Sequence, residues 1–374
     1  MHIAYVCTDP GIEIFGTKGA SIHAQEMIAA FLARGDRVTL ISPRIGTPST
    51  GYEALRLAPL PALSRGEAEA RAAAQLALNN AVTAALREAG PVDLVYERHA
   101  LFAHAAMEEA AHQGIPGVLE VNAPLIEESA RHRVLALPEE ADASTARAMR
   151  AARLVVAVSG AVGDYVRRHG AQGVEVIPNA VDPARFPSVQ RPDGRLTVGF
   201  LGTLRPWHDV ETLVRAMTPL RATFPHAHLL IVGDGPERER LAPLLAALNA
   251  ELPGTVRPDD VPGWLARMDI AVAPYAGNQP FYFSPLKIYE YMASGLPVVA
   301  SRVGDLAQVV RHGRIGLLCP PDDPTALAGA LAELAGNPQA ARRMGQAGRE
   351  IVLHDHTWAR VAARVLRVAT GVLA

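Results

Sequence analysis

Short apolar runs alternate with amphipathic stretches along the whole chain, and glycine or proline punctuates the changeovers. His2 to Thr8 reads as a buried strand. Asp9 to Gly19 is a loop carrying Gly11, Gly16 and Gly19, and Ala20 to Ala33 is an amphipathic helix with Ile22, Met27, Ile28 and Phe31 as core candidates, ended by Gly35. Val38 to Ser42 is the next strand, so the chain opens with a β-loop-α-β unit, the start of a doubly wound sheet. A long Ala-rich helix from about Arg65 to Ala89 stops before Pro91. Strands follow at Val92 to Tyr96, Pro116 to Val121, Leu154 to Ser159 and Val174 to Pro178, with helices between them, among them Ser144 to Ala152 and Gly160 to His169. Asp182 to Arg195 is rich in Pro, Asp and Arg, has no apolar period and reads as an interdomain linker.

The alternation then restarts. Strands are expected at Leu196 to Leu201, His228 to Val232, Ile270 to Pro274, Pro297 to Ala300 and Gly316 to Leu318. One helix between them is unusually complete in sequence. Ser284 suits the N-cap, Pro285 the first helical position, and Gly295 the left-handed turn that ends it before Pro297. The fold class is therefore α/β, with two Rossmann-like doubly wound parallel-sheet domains.

Composition supports this and narrows it. A length of 374 residues suggests two domains, and 49% apolar residues suffices for two cores. A net charge of −2 gives no sign of bulk nucleic-acid binding. Cys7 and Cys319 form no zinc spacing or disulfide framework, which fits a reducing cytoplasm. The first apolar run is too short for a signal peptide, and none approaches the roughly 20 residues of a membrane span. The expected location is cytoplasmic, with peripheral contact at the inner membrane face left open.

Candidate chemistry sits at loops. Lys287 lies in the first turn of the Ser284–Gly295 helix, whose N-terminus favours anions, and Glu290 shares its face. Together they suit a phosphate and a hydroxylated ring, though a surface Lys–Glu pair explains them equally well. The Gly16-Thr17-Lys18-Gly19 loop permits close backbone approach but matches no complete nucleotide fingerprint. His23 suits a packed core position as well as catalysis. Glu97, Arg98 and Asn122 fall beyond strand ends, where open α/β sheets bind ligands, and Glu127 follows nearby. For Arg98 and Glu127 a solvated loop charge is an equal reading.

The run Phe283 to Ser301, the turn Gly233-Asp234-Gly235-Pro236 and the loop Gly16 to His23 together resemble the retaining nucleotide-sugar glycosyltransferases of family 4, which have the GT-B fold. The resemblance extends over nearly the whole chain. It implies an acceptor-side domain over 1–185, joined by a C-terminal helix over 357–374, and a donor domain over 186–356, facing across a cleft. It implies transfer of a sugar from a nucleoside diphosphate sugar, with UDP as the default nucleotide, to an acceptor hydroxyl with retention of configuration. The partners would be that donor and a small-molecule, lipid-linked or glycan acceptor. No cofactor or metal is expected, and no Asp-X-Asp motif is present.

By the same resemblance Arg205, Lys287 and Glu290 are the catalytic candidates. Gly16, Gly19, Thr203, His208, Gly233, Val256, Arg257, Tyr282, Phe283, Ser284, Pro285 and Leu286 are donor-side candidates, and His23, Glu97, Arg98, Asn122 and Glu127 acceptor-side candidates. The sequence departs from the family pattern at four places. Tyr282 stands for the first Glu of a Glu pair, Asn122 for a His, Thr203 for an Arg and His208 for a Lys. Arg205 can supply the missing cation, with His208 as a further contributor. These departures keep two alternatives open: a non-catalytic nucleotide-binding scaffold subunit, and a nucleotide-sugar epimerase or hydrolase on the same architecture.

Overall fold

A computed structural model describes residues 1–63, 66–187, 194–311 and 313–371. The chain divides into two compact units, Met1–Asn179 with Tyr282–Ser284 and Trp358–Ala374, and Ala180–Phe281 with Pro285–Thr357.

The first unit contains β1 (His2–Cys7), α1 (Gly19–Ala33), β2 (Arg37–Ser42), β3 (Arg56–Pro59), α2 (Ala68–Glu88), β4 (Leu94–Arg98), α3 (Ala105–Gln113), β5 (Gly117–Val121), α4 (Leu125–His132), α5 (Pro138–Ala151), β6 (Leu154–Ala157), α6 (Gly160–Arg168) and β7 (Val174–Val176). Its seven strands are parallel and ordered β3-β2-β1-β4-β5-β6-β7, so the winding reverses between β1 and β4. Every residue of β1, β4 and β5 is buried, as strands covered on both faces require.

The second unit contains β8 (Thr197–Leu201), α7 (Val210–Thr223), β9 (His228–Val232), α8 (Arg238–Ala247), β10 (Glu251–Gly254), α9 (Val261–Leu265), β11 (Ile270–Ala273), α10 (Leu286–Ala293), β12 (Val298–Ser301), α11 (Leu306–Val310), β13 (Gly316–Cys319), α12 (Pro324–Gly336) and α13 (Pro338–Asp355). Its parallel sheet runs β10-β9-β8-β11-β12-β13 and reverses between β8 and β11. The last helix, α14 (Trp358–Thr370), belongs to the first unit. Its buried residues, Trp358, Ala362, Val365, Leu366 and Ala369, form one helical stripe laid on α1, β5 and β6.

Some expectations change. Ser284 does not cap α10: its hydroxyl accepts the Asn179 N–H at 2.9 Å, and Pro285 takes the cap position in extended conformation. Gly295 does end the helix in the left-handed region, at φ +68°. The expected linker is not free at its start. Val181 bridges to Thr357, residues 183–185 form a 3-10 turn, and Phe186 is buried in the second core. The middle of that segment, 188–193, lies outside the described residues, as do Arg65 and the final residues 372–374. α5 starts at Pro138 rather than at Ser144. The strands β3 and β10 and the helices α4 and α13 were not anticipated.

Candidate functional site

In the second unit the loops after β8 and β9 lie backbone against backbone. The Gly202 N–H donates to the Val232 carbonyl at 2.9 Å, and the Leu204 N–H to the Asp234 carbonyl at 3.0 Å. Only glycine fits at 233: at φ +138° its Cβ would stand 2.1 Å from the Gly202 oxygen. Gly233 is thus fixed by loop packing.

Gly202, at φ +141°, makes room for a side chain. A Cβ there would come within 2.8 Å of Lys287 Nζ. The first turn of α10 delivers Lys287 to this point. It is 8% exposed, its Nζ has no hydrogen-bond partner, and it stands 4.3 Å from the Phe200 ring centroid and 5.5 Å from that of Tyr275. Tyr275 is held by its own N–H donating to Ser301 Oγ at 2.9 Å. Burial pushes Lys287 down to about 7, against the upward pull of Glu290. A poorly solvated, unpaired amine beside a glycine that leaves space is a charge awaiting a counter-charge.

His208 does not add to that charge. Burial, then Lys287, push its imidazole down to about 3, so its Nδ1–H donates to the Thr203 carbonyl at 2.5 Å. Its ring stands edge-on to Phe200 and Tyr275. Thr203 and Arg205 are exposed, and the Arg205 guanidinium lies 5.5 Å over the Trp207 ring. Val256 packs half-buried on the second core, while Arg257 is exposed beside Asp259 at 4.0 Å. Pro285 and Leu286 open α10.

Tyr282, Phe283 and Ser284, expected beside the donor, are held in the first unit. The Tyr282 carbonyl accepts from Ser159 Oγ at 2.7 Å and its hydroxyl donates to Glu128 at 2.9 Å. Phe283 packs on the Tyr282 ring, and the Ser284 carbonyl accepts from Asn179 Nδ2 at 2.6 Å. Tyr282 is therefore an anchor at the position where the family pattern has a carboxylate.

Elsewhere in the first unit, Gln25 Nε2 donates to the carbonyls of Ile14 and Gly16, each at 2.8 Å, and fixes the glycine loop. Gly19 is exposed at the start of α1, which has no side-chain cap. His23, expected on the acceptor side, is buried: Nε2 pairs with Glu120, and the ring meets Trp358 edge-on at 4.6 Å. Arg98 is buried too, 3.7 Å from the same carboxylate. Burial pulls Glu120 up, but His23, Arg98 and Asn122 overrule it and hold the carboxyl below its ordinary value. His23 and Arg98 are internal partners of Glu120, which the sequence reading passed over. The signal was one acid in the apolar run Gly117-Val118-Leu119-Glu120-Val121.

Glu127 is exposed and paired with Arg168 at 3.0 Å, the surface reading. Glu97 and His99 are buried without partners, and burial pushes Glu97 up to about 8 and His99 down to about 4. The loop after β4 is strained at Phe102, φ +67°, which costs about 1–3 kcal/mol for such a residue. Buried Asn79 holds it there, donating to the Phe102 carbonyl at 2.8 Å and accepting the N–H groups of His104 and Ala105, each at 3.0 Å. Among the described residues no group of three or more His, Cys, Asp or Glu could hold a metal ion, and no helix is long and apolar enough to cross a membrane.

Both halves match known families. Residues 17–185 match the model of glycosyltransferase family 4, and residues 195–337 that of glycosyl transferases group 1. A glycogen synthase of Mycobacterium tuberculosis is 29% identical over 288 residues, 74% of this chain and 68% of that protein. A phosphatidyl-myo-inositol mannosyltransferase of Mycobacterium leprae is 35% identical over 221 residues, 56% of this chain and 57% of its own. Sucrose-phosphate synthase of Thermosynechococcus elongatus superposes with a TM-score of 0.78 at 21% identity, covering 99% of each chain, a likeness of GT-B fold. The chain belongs to the family 4 glycosyltransferases. It is an enzyme that transfers a glycosyl group.

Proposed function

We propose that the protein moves a sugar from a nucleoside diphosphate sugar to an acceptor hydroxyl with retention of configuration. The observation that carries this is the buried, unpaired Lys287 ammonium beside Gly202. In the reaction the acceptor oxygen attacks the anomeric carbon on the face the nucleotide leaves. The C1–O bond to the diphosphate breaks, the glycosidic bond forms, and a departing phosphate oxygen takes the acceptor proton. Negative charge grows on the leaving diphosphate. Lys287, the N–H groups opening α10 and Arg205 meet it from fixed positions, where one such donor is typically worth about 3–4 kcal/mol of barrier. Glu290, one turn beyond Lys287, takes the ribose hydroxyls. Acceptor recognition is assigned to the loops beyond β4 and β5, and the acceptor class is a small molecule, a glycan or a lipid-linked sugar.

These cations suffice for the charge, so transfer should continue in chelator. The test is incubation with UDP-, GDP- and ADP-sugars, UDP first. NMR of the product's anomeric proton reports retention or inversion. Absence of binding by every nucleotide, or an inverted product, would overturn the reading.

A further inference from the structure

Three side chains at the carboxyl ends of β1 and β4 take no part in the chemistry above. Glu97 is buried and its Oε2 has no hydrogen-bond partner. His99, one residue past β4, is buried with both ring nitrogens unpartnered. Thr8, the first residue past β1, is buried and its hydroxyl is unpartnered as well. Strand alternation puts Glu97 and His99 on one face of the sheet and Arg98 on the other, beside its aligned partner Glu120. The alignment holds past the strand end, because the His99 N–H donates to the Glu120 carbonyl at 2.8 Å. On the other side Val6 aligns with Glu97 and Cys7 with Arg98, so Thr8 follows beside His99.

A row of orphaned polar atoms thus sits where the first sheet reverses its winding, the place at which open parallel sheets receive ligands. Native interiors leave few buried polar groups unpaired. The adjoining loop is also held in its strained form, at Phe102, by Asn79.

We propose that Glu97, His99 and Thr8 form an acceptor subsite for an uncharged polyol, a sugar or cyclitol ring presenting neighbouring hydroxyls, in preference to a phosphorylated or carboxylated one. This rests on the glycosyl-transfer reading and narrows its acceptor. A hydroxyl both donates and accepts, so a neighbouring pair can satisfy a carboxyl, an imidazole and a threonine together. Burial leaves Glu97 and His99 both uncharged near neutrality, so neither offers a cation to an anion. The Arg98 guanidinium is on the opposite face with Glu120.

Saturation-transfer NMR on the full chain tests this, with free hexoses and cyclitols, their phosphorylated counterparts, and UDP present or absent. The saturated wild-type protein should transfer saturation to the uncharged polyols. Glu97→Met and His99→Ala should weaken that binding at least tenfold while UDP affinity stays within twofold. The Tm of Glu97→Met should not fall, since it removes an unpaired buried group; a merely structural role predicts the opposite. Polyol binding unchanged in both variants would overturn the assignment. So would binding of the phosphorylated compounds alone, or of UDP with no polyol. Polyol binding sensitive to these variants without UDP binding would support the subsite and count against the donor reading.

Discussion

Nucleotide binding should draw a proton onto the protein, and Lys287 should be where it goes. Free of ligand, the amine is pushed down to about 7 by burial between Phe200 and Tyr275. A diphosphate against Nζ supplies opposite charge where solvent does not, and so returns the group toward the ordinary lysine range near 10.4. At pH 8.5 a group titrating near 7 is only about 3% protonated, whereas an ordinary lysine is about 99% protonated. Binding should therefore take up roughly 0.95 proton at pH 8.5 but about 0.1 at pH 6. The terminal phosphate of UDP, with a second ionisation near 6, adds little at the higher pH. Calorimetric titration of UDP in two buffers of different ionisation enthalpy reads the number directly. Lys287→Met should abolish the uptake and lower turnover by about 10²–10³. Uptake below about 0.2 at pH 8.5 in the wild type, or unchanged uptake in the variant, would refute the reasoning. Stability moves the other way. The folded-state value lies below the unfolded one, so the unfolded chain binds more protons between about pH 7 and pH 10, and stability rises with pH through that window. At pH 7 Lys287→Met should accordingly raise the Tm.

Gly202→Ala would put a methyl 2.8 Å from Nζ on a φ of +141°; thermal melts should show a loss of about 1–3 kcal/mol, and UDP affinity should fall. Glu120→Gln leaves Arg98 buried without its charge partner, for a loss of about 3–5 kcal/mol in urea titration. Because the Glu120 carboxyl is held below its ordinary value, the stability it contributes is present above about pH 4.5 and lost as pH falls through the folded value, and the variant should lack that part of the acid limb. Trp358→Ala should cost about 3–5 kcal/mol and speed hydrogen exchange in α14 first. Asn79→Ala should let the Phe102 loop relax, and kinetics should show acceptor KM rising by about tenfold or more while donor KM holds.

Much of this molecule was legible because buried parallel strands appear as short apolar runs between glycine and proline, and two such series can be counted along the chain. The helix with Lys287 was legible from its boundary residues, Pro285 at its start and Gly295 at its end. The state of that lysine was not, since Phe200 comes from β8 and Tyr275 from the loop after β11, and only folding removes the water around Nζ. Ser284 misled because its hydroxyl found the Asn179 amide, a contact no local rule contains. Edge strands escaped notice where they are short and, like β3 with its exposed Leu57, carry little apolar signal. β10 holds a proline and an irregular register, which conceal it as a strand. His23 and Arg98 looked available because sequence shows polar side chains and hides the buried carboxylate they pack on.

The segment structure of the first unit bears on how the chain matures. Its last helix follows the whole of the second unit, so the edge-on contact between His23 and Trp358 cannot form until that unit has been synthesised. At ribosomal speeds of about 5–20 residues per second, the 178 residues between Asn179 and Trp358 take about 9–36 s to appear. For that interval His23 lacks the Trp358 ring that packs on it, so the nascent chain emits its second unit before the first can be sealed.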